Sequence, residues 1–243
     1  MRTKFCVAIA ALLAIWAMKR YYSRAGADDL WWILSPTARV AGAATGTTFA
    51  REPGEGYFSK ERLFLIEKSC AGINFMIAAF GMLTFTLLRR NEETMPGWRA
   101  LAVSLLASYV AAVFVNATRI AIAMWLTAHP LALSALTKAQ LHRVEGIAVY
   151  FGGLVLLHEL VRRFDCDAVG TFGRTAAPLV WYYAITLGIP LANGASPFDA
   201  VFAKHALVVL VLPPVLIVLG VQAHSYAKDV ARRMKYSTLF RRR

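Results

Sequence analysis

A chain of 243 residues that is 58% hydrophobic and only 17% charged, yet carries a formal net charge of +13, excludes two broad classes. A disordered chain is poor in apolar residues, and an ordinary soluble domain is about half apolar and about a quarter charged. Two classes stay open: a nucleic-acid binder with a cationic polar face, and a membrane protein whose loops hold the Lys and Arg. The placement of charge along the chain separates them.

Taken in order, the chain shows six long stretches with few or no charges. Residues 5–18 form the first, with Tyr21 and Tyr22 extending it into an interface. Residues 71–88 carry no charge, and residues 100–128 carry one, Arg119. Residues 144–161 are apolar apart from Glu145, His158 and Glu159, and residues 176–192 and 206–221 complete the set. A membrane crossing takes about 20 apolar residues, with about 17 as the lower end. In lipid the backbone must satisfy itself, so such runs are helices, and they are too continuous for alternating barrel strands. The expected fold is all-α: one membrane-embedded domain over residues 1–243, a helical bundle of six transmembrane helices. Residues 30–34, with Trp31 and Trp32, read as an interfacial anchor, and a seventh, re-entrant or spanning segment near residues 30–50 stays open. The first stretch reads as an uncleaved anchor, because Lys19, Arg20 and Arg24 separate it from the small triplet Ala25-Gly26-Ala27.

Loop charge orients the bundle. Arg89, Arg90 and Arg99 follow the second stretch, Arg162, Arg163 and Arg174 follow the fourth, and the tail over 222–243 holds seven Lys/Arg. The loops on the opposite side hold Lys138 with Arg143, and Lys204. The positive-inside rule therefore puts both termini in the cytoplasm of a plasma-membrane protein. The loop over 19–69 lies outside despite its eight Lys/Arg, since long loops cross largely regardless of charge. The basic tail reads as a juxtamembrane segment meeting anionic lipid, not as a nucleic-acid site.

Several chemistries have no motif here. Cys6, Cys70 and Cys166 lack metal-ligand spacing, and no phosphate loop, dinucleotide fingerprint, HExxH or nucleophile-elbow serine is present. No metal or cofactor is expected. What stands out is polar residues within or beside apolar spans, which are costly in lipid and default functional candidates. Cys70 opens the second span. Asn116 lies sixteen residues into the third, about 24 Å along a helix, and Arg119 follows one turn later. His142 lies just before the fourth, with Arg143 beside it. Alternating the spans brings all of these to the outer membrane face. A cysteine at a helix N-terminus is activated by the backbone dipole. A histidine can take the thiol proton and return it to a leaving amine. An arginine stays protonated and suits a clamp or an oxyanion stabiliser. Asn116 could orient Arg119 or His142. Asn74 lies one turn into the span from Cys70, and Gly72 and Gly146 permit close approach. His158 and Glu159 read as part of an ion-pair cluster with Arg162 and Arg163.

The residues Cys70-Ala71-Gly72, Asn116-Ala117-Thr118-Arg119 and His142 with Gly146 resemble the pattern of the exosortase/archaeosortase family, multi-span cysteine transpeptidases. Small size and the stretch Ser69-Cys70-Ala71-Gly72-Ile73-Asn74-Phe75 look most like the exosortase K subgroup. The resemblance covers about residues 57–160. It implies an enzyme acting on exported proteins that end in a short motif, a transmembrane helix and a basic tail. Cys70 would attack a peptide bond near the outer face to form a thioester, His142 would carry the proton, and Arg119 would stabilise charge. Arg at the third position occurs in archaeal members, so which of His142 and Arg143 completes the site stays open. Two other classes are compatible with the residues: a small transporter or channel subunit using Arg119, and a non-catalytic membrane assembly subunit docking through its basic tail.

Overall fold

A computed structural model describes residues 2–61, 63–89, 95–129, 137–163 and 171–240. Cys166, Pro130, Arg90 and the last three arginines lie outside them. Among the described residues, six helices are long and apolar enough to cross a membrane, and they coincide with the six apolar stretches. They belong to α1 (Arg2–Arg24), α3 (Ile73–Leu87), α4 (Gly97–Ala128), α5 (Lys138–Arg162), the α6–α7 unit and α8 (Ala200–Phe240). In the fifth unit α6 (Thr171–Tyr183) runs through a π-helical turn, Ala184–Gly188, into α7 (Ile189–Ala192). The chain is an all-α, multi-pass membrane protein carrying one small sheet.

α3 is the axis. Its span is 83% buried, against 11% for the first and last spans. It is apolar on every face, which is the signature of a helix surrounded by others. Gly81 makes room on it: a Cβ there would lie 2.3 Å from the ring of Trp181 on α6. α1 packs against the axis through Ala11 and Ile15 but leaves Phe5, Leu12, Leu13 and Trp16 exposed, and α8 leaves Leu207, Val211 and Leu219 exposed. Such apolar faces are at home against lipid tails. α4 is one helix of 32 residues, about 48 Å long, so the charge-poor third stretch outruns the roughly 30 Å core and ends at His129.

The segment between α1 and α3 holds the folded detail. α2 (Trp31–Thr45) has 15 residues, about 22 Å, shorter than the roughly 30 Å core, and is not among the six helices long and apolar enough to cross. It buries Ile33, Leu34, Ala38 and Ala41. Trp32 stacks on Tyr109 of α4 at 5.9 Å, and the Tyr109 hydroxyl donates to the Trp32 carbonyl at 2.9 Å. Trp31 alone of the tryptophan pair is exposed. Three short antiparallel strands follow, β1 (Ala50–Glu52), β2 (Gly56–Ser59) and β3 (Phe64–Ile66), in the order β1-β2-β3 with Tyr57 opposite Ile66. Asp28 fastens the β1–β2 turn, accepting from Arg51 and from the Gly54 amide, each at 2.8 Å. Those two donors hold its carboxyl below the ordinary carboxylate range. β3 leads within four residues to Cys70.

Candidate functional site

Cys70 lies outside α3. It closes a 3-10 turn, Lys68–Cys70, whose Cys70 amide donates to the Glu67 carbonyl at 2.9 Å. Gly72 then takes φ +69° before α3 begins at Ile73. Only glycine enters that region freely, and space demands it too: a Cβ would lie 3.1 Å from the side chain of Asn116. The left-handed step separates the cysteine from the helix, so the thiol lies two residues before the N-cap instead of at the first helical turn expected for it. The C-terminal end of α1 holds the turn in place. The Tyr22 hydroxyl donates to the Lys68 carbonyl at 3.4 Å, and the Lys68 ammonium lies 5.3 Å from the Tyr22 ring centre.

From this turn a single chain of hydrogen bonds runs across three elements. The Asn116 amide of α4 donates to the carbonyl of Cys70 in a short contact. The Tyr150 hydroxyl of α5 donates to Asn116 Oδ1 at 2.8 Å. Arg119 Nη1 donates to the Tyr150 oxygen at 3.1 Å, and Arg119 Nη2 contacts His142 Nε2 at 2.8 Å. A guanidinium has hydrogens only to give, so every donor in the chain has a fixed direction, outward from Arg119. Asn116 is fully buried and Arg119 nearly so. Cys70 as a residue is 8% exposed; its thiol touches Ser69 Oγ at 3.8 Å and lies within electrostatic range of Arg119 and Tyr150.

Helical spacing explains why the chain forms. Asn116 and Arg119 are three residues apart on α4, while His142, Gly146 and Tyr150 follow at intervals of four on α5, so each set shares a face. Gly146 leaves room for the guanidinium, 3.4 Å from where its Cβ would stand. Gly153, one turn beyond Tyr150, lets α5 close on Val115 and Phe75, with a Cβ position 2.9 Å from the Val115 methyls. α5 starts cleanly at this end through a capping box of Thr137 and Gln140.

The sequence-derived candidates separate into two groups. Cys70, Asn116, Arg119, His142 and Gly72 come together. Asn116 reaches neither His142 nor Arg119 directly; Tyr150 stands between it and Arg119. Asn74 turns away and accepts from Lys19 of α1 at 2.8 Å. Arg143 is exposed and acts electrostatically on His205 of α8, so of the two neighbours it is His142 that touches Arg119. Tyr150 was not singled out from the sequence, where it reads as one more aromatic residue in an apolar span. Its four-residue spacing from Gly146 was the available signal. Among the described residues no group of three or more His, Cys, Asp or Glu could hold a metal.

Tyr150→Phe is expected to lower stability by about 1–2 kcal/mol, because it strips buried Asn116 and Arg119 of a shared partner. The readout is thermal unfolding in detergent, and an unchanged Tm would show that the phenol does not join the two residues.

Six helices long and apolar enough to cross a membrane, with the Cys70 carbonyl, an amide, a phenol, a guanidinium and an imidazole joined in one hydrogen-bonded chain, define a multi-pass membrane protein with a built polar site. The chain matches no family model, no curated protein and no solved structure.

Proposed function

We propose that this protein is an integral-membrane cysteine protease or transpeptidase of the exosortase kind, which removes the C-terminal sorting tail of exported proteins. The carrying observation is the continuous hydrogen-bond chain from the Cys70 carbonyl through Asn116, Tyr150 and Arg119 to His142. A set of packing residues would have no reason to converge in that way within lipid. Loop charge favours an extracytoplasmic site in the plasma membrane, where exported substrates present their tails.

The chemistry follows from the groups. In the resting geometry Arg119 occupies the lone pair of His142 Nε2. A substrate carbonyl or carboxylate that draws the guanidinium away frees that lone pair for the thiol proton. The sulfur then attacks the peptide carbonyl carbon, and Arg119 faces the oxygen on which negative charge develops. The C–N bond breaks, the leaving amine takes the proton from His142, and the acyl group stays on Cys70 as a thioester. Water or an acceptor amine displaces the sulfur in the second step.

The test is co-expression with an exported protein carrying a short motif, a transmembrane helix and a basic end, followed by intact-mass measurement of its C-terminus. A product shortened before the helix is expected. Hydrolysis leaves a free carboxyl, and transfer adds the mass of the acceptor. A full-length tail in every such pairing would overturn the reading.

A further inference from the structure

Glu145 has no place in the scheme so far, yet it is the most deeply buried carboxylate beside the site. Its side chain is 5% exposed, and neither oxygen has a hydrogen-bond partner among the described residues. A buried carboxylate is costly in a membrane helix, and its charge acts on the equally enclosed guanidinium of Arg119. Its ion-pair contact is to His142, with Oε2 lying 3.5 Å from Nδ1 one turn back along α5.

The imidazole geometry gives that contact meaning. Arg119 can only donate, so His142 Nε2 at 2.8 Å must accept, and the ring proton of the neutral imidazole therefore sits on Nδ1. Nδ1 is the nitrogen that lies 3.5 Å from Glu145 Oε2. Arg119 of α4 acts on both His142 and Glu145, and Tyr150 of α5 acts on Glu145; neither offers a carboxylate. We propose that Glu145 is a positioning residue: its carboxylate holds the Nδ1–H edge of His142, so that Nε2 is turned toward the thiol once Arg119 lets go. This rests on the cysteine-nucleophile reading above. When the imidazole takes up the thiol proton, the same carboxylate faces the new cation. The arrangement puts an acid behind a histidine behind a nucleophile, the logic of a triad, but on a membrane helix with an i, i+3 spacing.

The test needs no substrate. Cys70 is alkylated with iodoacetamide in the full-length protein in detergent, in a background where Cys6 and Cys166 are serine, and the rate is read by mass. Glu145→Gln is nearly isosteric and removes a buried charge, so it is expected to fold. It should slow alkylation about tenfold. His142→Gln should slow it at least as much, and the double variant should be no slower than His142→Gln, because Glu145 acts through His142. Glu145→Asp should recover most of the rate. A wild-type rate in Glu145→Gln with a slow His142→Gln overturns this inference alone. Wild-type rates in both overturn the pairing of His142 with Cys70, and with it the reading beneath. Additive losses, or equal losses in Glu145→Gln and Glu145→Asp that follow lowered thermal stability, would assign Glu145 to folding and overturn its positioning role.

Discussion

Cys70→Ala is expected to abolish tail processing, by on the order of 10⁴-fold or more, while the protein still inserts at normal levels. The size of the effect follows from the chemistry: without sulfur no acyl group can be held, and the remaining donors only polarise a bond that nothing attacks. Normal insertion follows from the structure. The side chain of Cys70 is small, and its link to the site runs through its backbone carbonyl, which alanine keeps. Cys70→Ser keeps a hydroxyl in the same place but offers a far poorer nucleophile at neutral pH, so it is expected to fail too. The measurement is the intact mass of a co-expressed tailed protein, with membrane fractionation of the variant as control. Retained trimming in Cys70→Ala would remove the cysteine mechanism altogether.

Arg119→Lys is expected to cost roughly 10²–10³-fold in turnover. Charge is preserved in this variant, so any loss belongs to shape. The guanidinium spans two partners at once, giving one nitrogen to Tyr150 and another to His142. A lysine ammonium is a single point on a flexible stem and cannot hold both in that fixed fork. Gly146 is moulded to the flat group as well. The variant should insert, since lysine keeps the positive charge that Glu145 and Tyr150 already face there. Single-turnover rates on the tailed reporter check the expectation, and a wild-type rate would leave Arg119 with no role in charge stabilisation.

Much of the architecture was legible in the residues because the bilayer imposes one blunt requirement. Uncharged runs of about 20 residues have few alternative fates, and all six appear as helices. The same requirement exposed Asn116 and Arg119, which stand out only because their surroundings are apolar. The soluble-facing part hid itself. Strands of three and four residues carry too little alternation to register, and β1 begins among charged residues that read as loop. Gly72 looked like a packing glycine; its positive φ detaches Cys70 from α3, and periodicity says nothing of φ. Tyr150 and Glu145 escaped for opposite reasons. A tyrosine is ordinary in such a span, while the carboxylate was visible as an intruder but had no partner until α5 was wound, with His142 brought onto its flank.

The fixed direction of the donors has a further consequence for proton traffic. Each hydrogen in the series from Arg119 through Tyr150 and Asn116 points toward the Cys70 carbonyl. Such a row is a strut and not a conduit: passing a proton along it would require every member to reverse, and its first member never gives one up. In the proposed reaction the thiol proton must therefore enter and leave elsewhere. His142 is where the buried network reaches the protein surface, with half its side-chain surface open while Asn116 and Glu145 stay enclosed. Rigidity and proton exchange are thereby assigned to opposite sides of one guanidinium.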